Sequence, residues 1–180
     1  DSILDTIKSR CQTYKLYSLS EAEILAYIHR DFSKIDEGEL KSVIAFADGI
    51  PGRVQKYLEN NSLKEIRVMT LELLKEFENM KIDKIIKYET FLLKHKSEWQ
   101  EVFTSMFSYI RDILIYKENR NDKFLMNLDK LEDIIDLSEV FSFNKLDNII
   151  TIIKEAREKL ERNVNTTLVF DALLMKMQEV

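Results

Sequence analysis

Five side chains stand out in this 180-residue sequence because their types and positions could support chemistry: Arg10, Cys11, His29, Arg53 and His95. A guanidinium group stays charged and donates several hydrogen bonds in one plane, which suits contact with phosphate groups. On residue type alone, Arg10 is most simply a surface arginine that caps a short helix. By the same standard, Arg53 is a solvated arginine or one partner of a salt bridge.

The cysteine and the two histidines do not form a recognisable catalytic or metal-binding set. Cys11 has no histidine near it in sequence, and His29 and His95 lie in separate predicted helices. We therefore expect Cys11 to be a small packed side chain. Each histidine has Lys or Arg beside it, so we expect both to be exposed. No carboxylate–histidine spacing supports a metal site, and none is expected.

The composition sets limits on what the chain can be. Hydrophobic residues make up 45% and charged residues 33% of the sequence, the balance of a globular protein. No apolar run approaches the roughly 18 residues of a membrane span, and residues 1–8 lack a signal-peptide pattern. These features predict a cytoplasmic protein. The net charge of −5 is spread evenly, so we do not expect strong DNA binding by this chain alone.

The elements that must position these side chains are predicted to be helices. Every glycine and the single proline lie before residue 53, which argues against a β-rich domain with tight turns beyond that point. Apolar residues recur there at spacings of three and four. Ser62–Glu65 and Ser97–Gln100 have the capping-box spacing, while segment 138–143 is compatible with a short helix or a buried loop. The predicted helices are 63–78, 82–95, 98–118, 124–136, 144–162 and 165–178.

Capping and turn residues in the first third of the sequence predict three short helices there. Ser20–Glu23 begins one that runs to about Phe32, and Asp36–Glu39 begins a second. A third starts at Pro51 or Gly52 and ends near Asn60. Such a small core must pack against a neighbour. Residues 12–16 alternate like one strand, and because a lone strand is unstable we expect its sheet to lie upstream.

Two local patterns carry a family resemblance. The segment Ile3-Leu4-Asp5-Thr6-Ile7-Lys8-Ser9-Arg10-Cys11-Gln12 resembles the Ser-Arg-Cys motif of clamp-loader AAA+ ATPases with its preceding helix. About forty residues later, Gly49-Ile50-Pro51-Gly52-Arg53-Val54 resembles the sensor-2 turn that begins the third helix of the AAA+ lid. Their order and spacing agree with that family.

A third stretch narrows the resemblance. Arg162-Asn163-Val164-Asn165-Thr166-Thr167-Leu168, followed by Phe170-Asp171-Ala172-Leu173-Leu174, is similar to the end of bacterial DNA polymerase III delta-prime subunits. No Gly-x-x-x-x-Gly-Lys-Ser/Thr motif occurs in the sequence. The resemblance implies an all-α fold, with residues 1–16 ending an AAA+ domain, 17–61 forming a three-helix lid and 62–180 forming a helical collar of five to seven helices.

The resemblance also implies roles and partners. Arg10 would be an arginine finger that reaches the ATP site of a neighbouring gamma/tau subunit, and Arg53 would be a sensor-2-like residue. No cofactor is expected in this chain, since ATP would lie at the boundary with its neighbour. The other partners would be the delta subunit and, through the complex, the sliding clamp and primed DNA. The chain would not be an enzyme by itself, but part of a DNA-directed DNA polymerase holoenzyme.

Some alternatives remain open from the sequence. A gamma/tau subunit shares the first two motifs, and an unrelated helical scaffold could share the helical pattern. The last helix carries Val169, Leu173, Met175 and Met177 on more than one face. This pattern indicates burial against a neighbouring subunit, or deep burial within a single bundle.

Overall fold

The chain folds as an all-α protein. A computed structural model describes residues 6, 9–12, 14–32, 35, 37–77 and 81–179. Within these ranges there are nine α-helices, three short 3-10 turns and no strand, which confirms the predicted fold class. No helix of the described ranges is long and apolar enough to cross a membrane.

The first three helices follow the predicted signals. They are α1 (Glu21–Asp31), α2 (Glu37–Ala47) and α3 (Pro51–Glu59). Ser20 and Glu23 form a complete capping box, in which the Ser20 backbone N–H donates to the Glu23 carboxylate at 2.8 Å. Pro51 occupies the first position of α3, where its missing N–H costs nothing. The predicted cap at Asp36 and the predicted helix before Ser9, apart from Thr6, lie outside the described residues.

The later helices also lie close to their predicted positions. Asn163 has a left-handed backbone (φ 58°), and Asn165 caps the last helix, as expected from their types. Helix α7 extends past the predicted end, so the ambiguous segment 138–143 is divided between two helices. The six helices are α4 (Asn61–Glu76), α5 (Ile82–Lys94), α6 (Trp99–Asn119), α7 (Leu131–Val140), α8 (Phe143–Glu161) and α9 (Thr166–Gln178).

The prediction of a helix over 124–136 is wrong in its first half. Residues 122–130 form two 3-10 turns, Asp122–Phe124 and Leu128–Lys130, joined by three non-helical residues of which Leu125 is extended. The carboxylate of Asp112 accepts the N–H groups of Met126 and Asn127 at 2.9 and 2.7 Å. These two bonds hold the backbone of residues 126 and 127 against α6.

Three other local predictions also need correction. Asn60, not Ser62, caps α4, since its side chain accepts the Ser62 N–H at 2.9 Å. The predicted cap at Ser97 lies inside a 3-10 turn, Lys96–Glu98, that leads directly into α6. Residues 12 and 14–16 form no strand, because no described segment offers them a pairing edge; residue 13 lies outside the described ranges.

One hydrophobic core of the described residues extends from α1 to α9. Ile24, Val43 and Val54 from the first three helices belong to the same buried cluster as Leu73 and Ile153 from later ones. The small three-helix unit is therefore stabilised by packing on the rest of the chain, as its size requires. The proposed division at residues 61 and 62 stays a prediction, since the two parts share their interior.

A buried polar network joins the two parts. The Arg67 guanidinium donates to both carboxylate oxygens of Asp129, at 2.7 and 2.9 Å, and to the Asn127 side chain at 2.8 Å. Ser42 of α2 donates to the same Asp129 carboxylate at 2.9 Å. Asn127 in turn donates to Asp112 at 2.9 Å. The network therefore ties α2, α4 and α6 to the irregular segment between α6 and α7.

The guanidinium of Arg67 is almost completely removed from solvent. The side chains of Arg67 and Asp129 are only 6% and 5% exposed. Burial disfavours the charged form, but nearby Tyr109 and Asp129 outweigh it, and together they raise the pKa of Arg67 above its ordinary value. The ion pair is accordingly preserved inside the protein, with its hydrogen bonds satisfied.

Gly49 permits a close backbone contact between the start of α1 and the α2–α3 turn. Its φ is +74°, and the N–H of Leu19 donates to its carbonyl at 2.8 Å. A Cβ at this position would lie 2.6 Å from the Leu19 carbonyl oxygen and 2.7 Å from the Ser18 Cβ. Both the backbone conformation and the available space therefore require glycine.

Replacing Arg67 by Met should lower the free energy of unfolding by about 3–5 kcal/mol, because it leaves the Asp129 carboxylate buried without a counter-ion. Urea denaturation followed by circular dichroism measures this loss. The matched control is Arg157→Met, which removes an exposed pair with Glu161 and should cost at most about 1 kcal/mol. Similar losses of unfolding free energy in the two variants would show that the buried Arg67–Asp129 pair stabilises the protein no more than an exposed pair does.

Gly49→Ala should lower the free energy of unfolding by more than about 1 kcal/mol, because the left-handed backbone and the contact with Leu19 both oppose a Cβ. Gly52 is the control, since a Cβ there meets nothing within 4 Å. Gly52→Ala should be neutral or stabilise by up to about 1 kcal/mol, because it lies in a helix. Thermal unfolding of the two variants gives the comparison, and equal destabilisation would contradict it.

Candidate functional site

Arg10 lies in an exposed turn. The Ser9 hydroxyl donates to the Thr6 carbonyl at 3.2 Å, and residues 9–10 form a turn after that contact. Among the described residues, Arg10 has neither a hydrogen bond nor an ion pair. Its guanidinium is therefore available to an external acceptor, although no partner is present that would test its role.

The segment after Arg10 is exposed as well. Cys11 is exposed, so the prediction of a packed cysteine is wrong. Tyr14, Leu16 and Tyr17 are 75%, 94% and 81% exposed. Packing of Cys11 would need a neighbouring element over this segment, and none of the described elements lies there.

Arg53 projects into a cleft between the three-helix unit and the later helices. It follows Pro51 in the first turn of α3, and its Nη1 lies 3.8 Å from the Asp48 carboxylate. The side chain is 38% exposed. The cleft has a volume of about 580 Å³ and is mostly apolar, with walls from α2, α3, α6 and α8.

Two further arginines line the same cleft, and sequence reasoning missed both. Arg67 is already saturated by Asp129 and Asn127. Arg111 on α6 is 45% exposed and donates one hydrogen bond to Asp112 at 2.8 Å. Guanidinium groups bind phosphates and carboxylates, so the cleft contains the chemistry for an anionic group beside an apolar surface. No group of three or more His, Cys, Asp or Glu side chains in the described ranges could hold a metal ion.

His95 is buried, which overturns the prediction that it is exposed. The residue is only 2% accessible and packs against Phe91, with ring centroids 5.0 Å apart. Its Nδ1 lies 3.0 Å from the Ser62 hydroxyl and 3.2 Å from the Glu98 carboxylate. The two flanking lysines, Lys94 and Lys96, are exposed, whereas the His95 ring lies against α4. His29, in contrast, is exposed as predicted.

The two glutamates near His95 are held in their charged forms. Hydrogen bonding from Lys94 is the main cause that lowers the pKa of Glu65, and His95 adds to it against the effect of burial. Hydrogen bonding from Ser62 is the main cause that lowers the pKa of Glu98, again opposed by burial and assisted by His95. The imidazole therefore sits between two carboxylates.

The last helix presents apolar side chains on two faces. Val169, Leu173 and Met177 are buried in the core of the chain. Leu168 and Met175 are 65% and 64% exposed, and their spacing of seven residues places them on one side of α9. Deep burial within one bundle therefore accounts for one face of α9 but not for the other.

Comparison with known proteins gives the family. The family model for "DNA polymerase III, delta subunit, C terminal" matches residues 63–179, which is most of the chain. Among curated proteins no significant match is found. The matched region contains α5 to α9 and nearly all of α4. The chain therefore belongs to the family formed by the C-terminal domains of DNA polymerase III delta subunits, which are components of clamp loaders.

Proposed function

We propose that the chain is the C-terminal part of a delta-prime-type clamp-loader subunit, which helps to load the sliding clamp onto primed DNA in the cytoplasm. The observation that carries this proposal is Arg10, an exposed guanidinium in a Ser-Arg-Cys sequence. It precedes a helical region that belongs to a clamp-loader family. Membership of that family excludes the alternative of an unrelated helical scaffold. The chain would act within a DNA-directed DNA polymerase holoenzyme and would not be an enzyme alone.

The proposed role of Arg10 is to act in trans. Hydrolysis of ATP builds negative charge on the transferred phosphoryl group, and an arginine from an adjacent subunit stabilises that charge. Arg10 is suited to this because its side chain is exposed and makes no internal ion pair with the described residues. The ATP would belong to a neighbouring gamma/tau subunit.

We propose a separate role for Arg53, as a sensor-2-like contact with nucleotide bound to its own subunit. Its guanidinium is 3.8 Å from Asp48, beyond ordinary hydrogen-bond length, and remains partly exposed. It could therefore exchange Asp48 for a phosphate group. A purely structural pairing with Asp48 is the competing role.

The proposed role of the later helices is ring assembly with gamma/tau and delta subunits. The exposed face of α9, formed by Leu168 and Met175, supports this role, because large exposed apolar side chains at one helical face are suited to a protein interface. A gamma/tau identity is the alternative. It is less well supported, since the Asn163–Asn165 turn before α9 is the feature that resembles delta-prime subunits.

Replacing Arg10 by Ala should lower DNA-stimulated ATP hydrolysis at the neighbouring site by about 10³-fold or more, because the transition-state charge loses its partner. The measurement is single-turnover ATPase in a reconstituted loader, with complex formation followed by gel filtration. Arg30→Ala is the matched control, since Arg30 is exposed and its contacts, an ion pair with Asp31 and a cation–π contact with Tyr27, lie within α1. Wild-type rates with Arg10→Ala in an intact complex would refute the role.

Met175→Glu should weaken assembly with the gamma/tau and delta subunits by at least about tenfold, because it places a charge in an apolar contact worth about 1.5–3 kcal/mol. Analytical ultracentrifugation of the mixed subunits measures the change. Ile86→Glu on α5 is the control, since Ile86 is 57% exposed and lies on a different helix. Equal weakening by both variants would argue against an interface on α9. A chain that displaces delta from the complex, instead of joining it, would contradict the delta-prime assignment.

A further inference from the structure

The cleft between the three-helix unit and the later helices retains apolar surface that the described residues do not cover. Its volume of about 580 Å³ is typical of pockets for small ligands. Large apolar side chains line it, and each of them packs on the core but stays only partly buried. Five of these are Phe46, Phe107, Leu114, Ile115 and Ile150. Removing their remaining surface from water would stabilise a bound apolar group.

Arg111 has unused hydrogen-bonding capacity in this cleft. Its side chain is 45% exposed, and its only hydrogen bond among the described residues runs from Nη1 to Asp112 at 2.8 Å. A guanidinium group has five N–H donors, so most of them remain for a ligand. Arg67, in contrast, is saturated by its buried network, and Arg53 lies beside Asp48.

The Asp112 carboxylate holds the Arg111 guanidinium in place. Asp112 is completely buried, and its Oδ1 atom accepts the bond from Arg111. Its Oδ2 atom accepts bonds from the backbone N–H groups of Met126 and Asn127, at 2.9 and 2.7 Å, and from the Asn127 side chain at 2.9 Å. Because this carboxylate is fixed, little further ordering of Arg111 is needed when a ligand binds.

The charges at the surface of the cleft favour an anionic head group. Three arginines line the cleft, against two carboxylates, Asp48 and Glu101. Each of these carboxylates already has a cation beside it, since Arg53 lies 3.8 Å from Asp48 and Lys56 donates to Glu101. The carboxylates that bind the other two arginines are buried. The surface offered to a ligand therefore carries a net positive charge.

The walls favour a small molecule over a nucleotide or an extended peptide. They are mainly the sides of α2, α6 and α8, whose backbone groups are bonded within the helices. An extended peptide would need backbone partners, and a nucleotide would need several donors for its phosphate groups. The sides of helices with one available guanidinium supply neither.

We propose that the cleft is a binding site for a small organic anion, a molecule with an aromatic or aliphatic body and one carboxylate or sulfonate group. The body lies against the partly buried apolar side chains, and the head group accepts hydrogen bonds from Arg111. A bound ligand therefore contacts both the three-helix unit and the later helices. This site does not depend on the roles proposed for Arg10 and Arg53.

Fluorescence titration of the purified chain with two probes tests the site. Anilinonaphthalene sulfonate has the proposed chemistry, and phenylnaphthylamine has the same aromatic body without the charge. Arg111→Gln should weaken binding of the sulfonate by at least about tenfold, because it removes a charge-assisted contact, and should leave binding of the neutral probe unchanged. Arg111→Lys keeps the charge and should recover part of the loss. Arg157→Gln, which alters an exposed arginine outside the cleft, should bind both probes like the wild type.

Two further measurements keep the test decisive if the Arg111 variants do not fold. In the wild-type chain, nuclear Overhauser effects should join the aromatic protons of the sulfonate to the methyl groups of Leu114, Ile115 and Ile150. Thr104→Trp places a large side chain at an exposed position of the cleft and should abolish binding of both probes. The proposal is overturned if those contacts lead only to other residues, if Arg111→Gln binds the sulfonate as tightly as the wild type, or if ATP displaces the sulfonate.

Discussion

The structure depends most on one buried guanidinium. Arg67 lies on the core face of α4, and its charge is acceptable there only while Asp129 and Asn127 surround it. Breaking such a pair is costly because a bare charge would remain in a poorly polarisable interior. The surrounding chain is therefore constrained: the segment before α7 must supply Asp129 and Asn127, and α2 must bring Ser42 to the same carboxylate. Together with the shared hydrophobic core, this network holds α2 on the later helices, beside the cleft that Arg53 and Arg111 both line.

The fold class and most helices could be predicted because their apolar residues recur with helical spacing over many turns. The region 122–130 could not, since the residue that decides its backbone, Asp112, lies on another helix. A signal was nevertheless present. Arg67 is a charged residue that lies four residues after Leu63 and three before Thr70 on the apolar stripe of α4, and a charge on a buried face indicates a partner elsewhere. That signal identifies the residue in need of a partner, but not the partner.

The residues of the candidate site also fall into two groups, those that local sequence motifs identify and those that they do not. Arg10 and Arg53 could be selected from the sequence because local motifs mark them. Arg111 and His95 could not, because their importance arises from neighbours distant in sequence. The lysines beside His95 indicated solvent, yet a helix can turn one residue inward while its neighbours face outward. The prediction that Cys11 is packed was wrong because a small thiol is buried only where another element lies over it. The local sequence does not show whether such an element is present.

The close approach at Gly49 has a mechanical consequence. The Leu19 N–H is bonded to the Gly49 carbonyl, and there is no room between the two stretches of backbone for even one methyl group. In the segment that joins Arg10 to α1, residues 18 and 19 are therefore held against the α2–α3 turn. A displacement of the backbone at Leu19 would therefore act on the start of α3, which follows Gly49 by two residues. The positions of Arg10 and Arg53 thus depend on the same backbone contact.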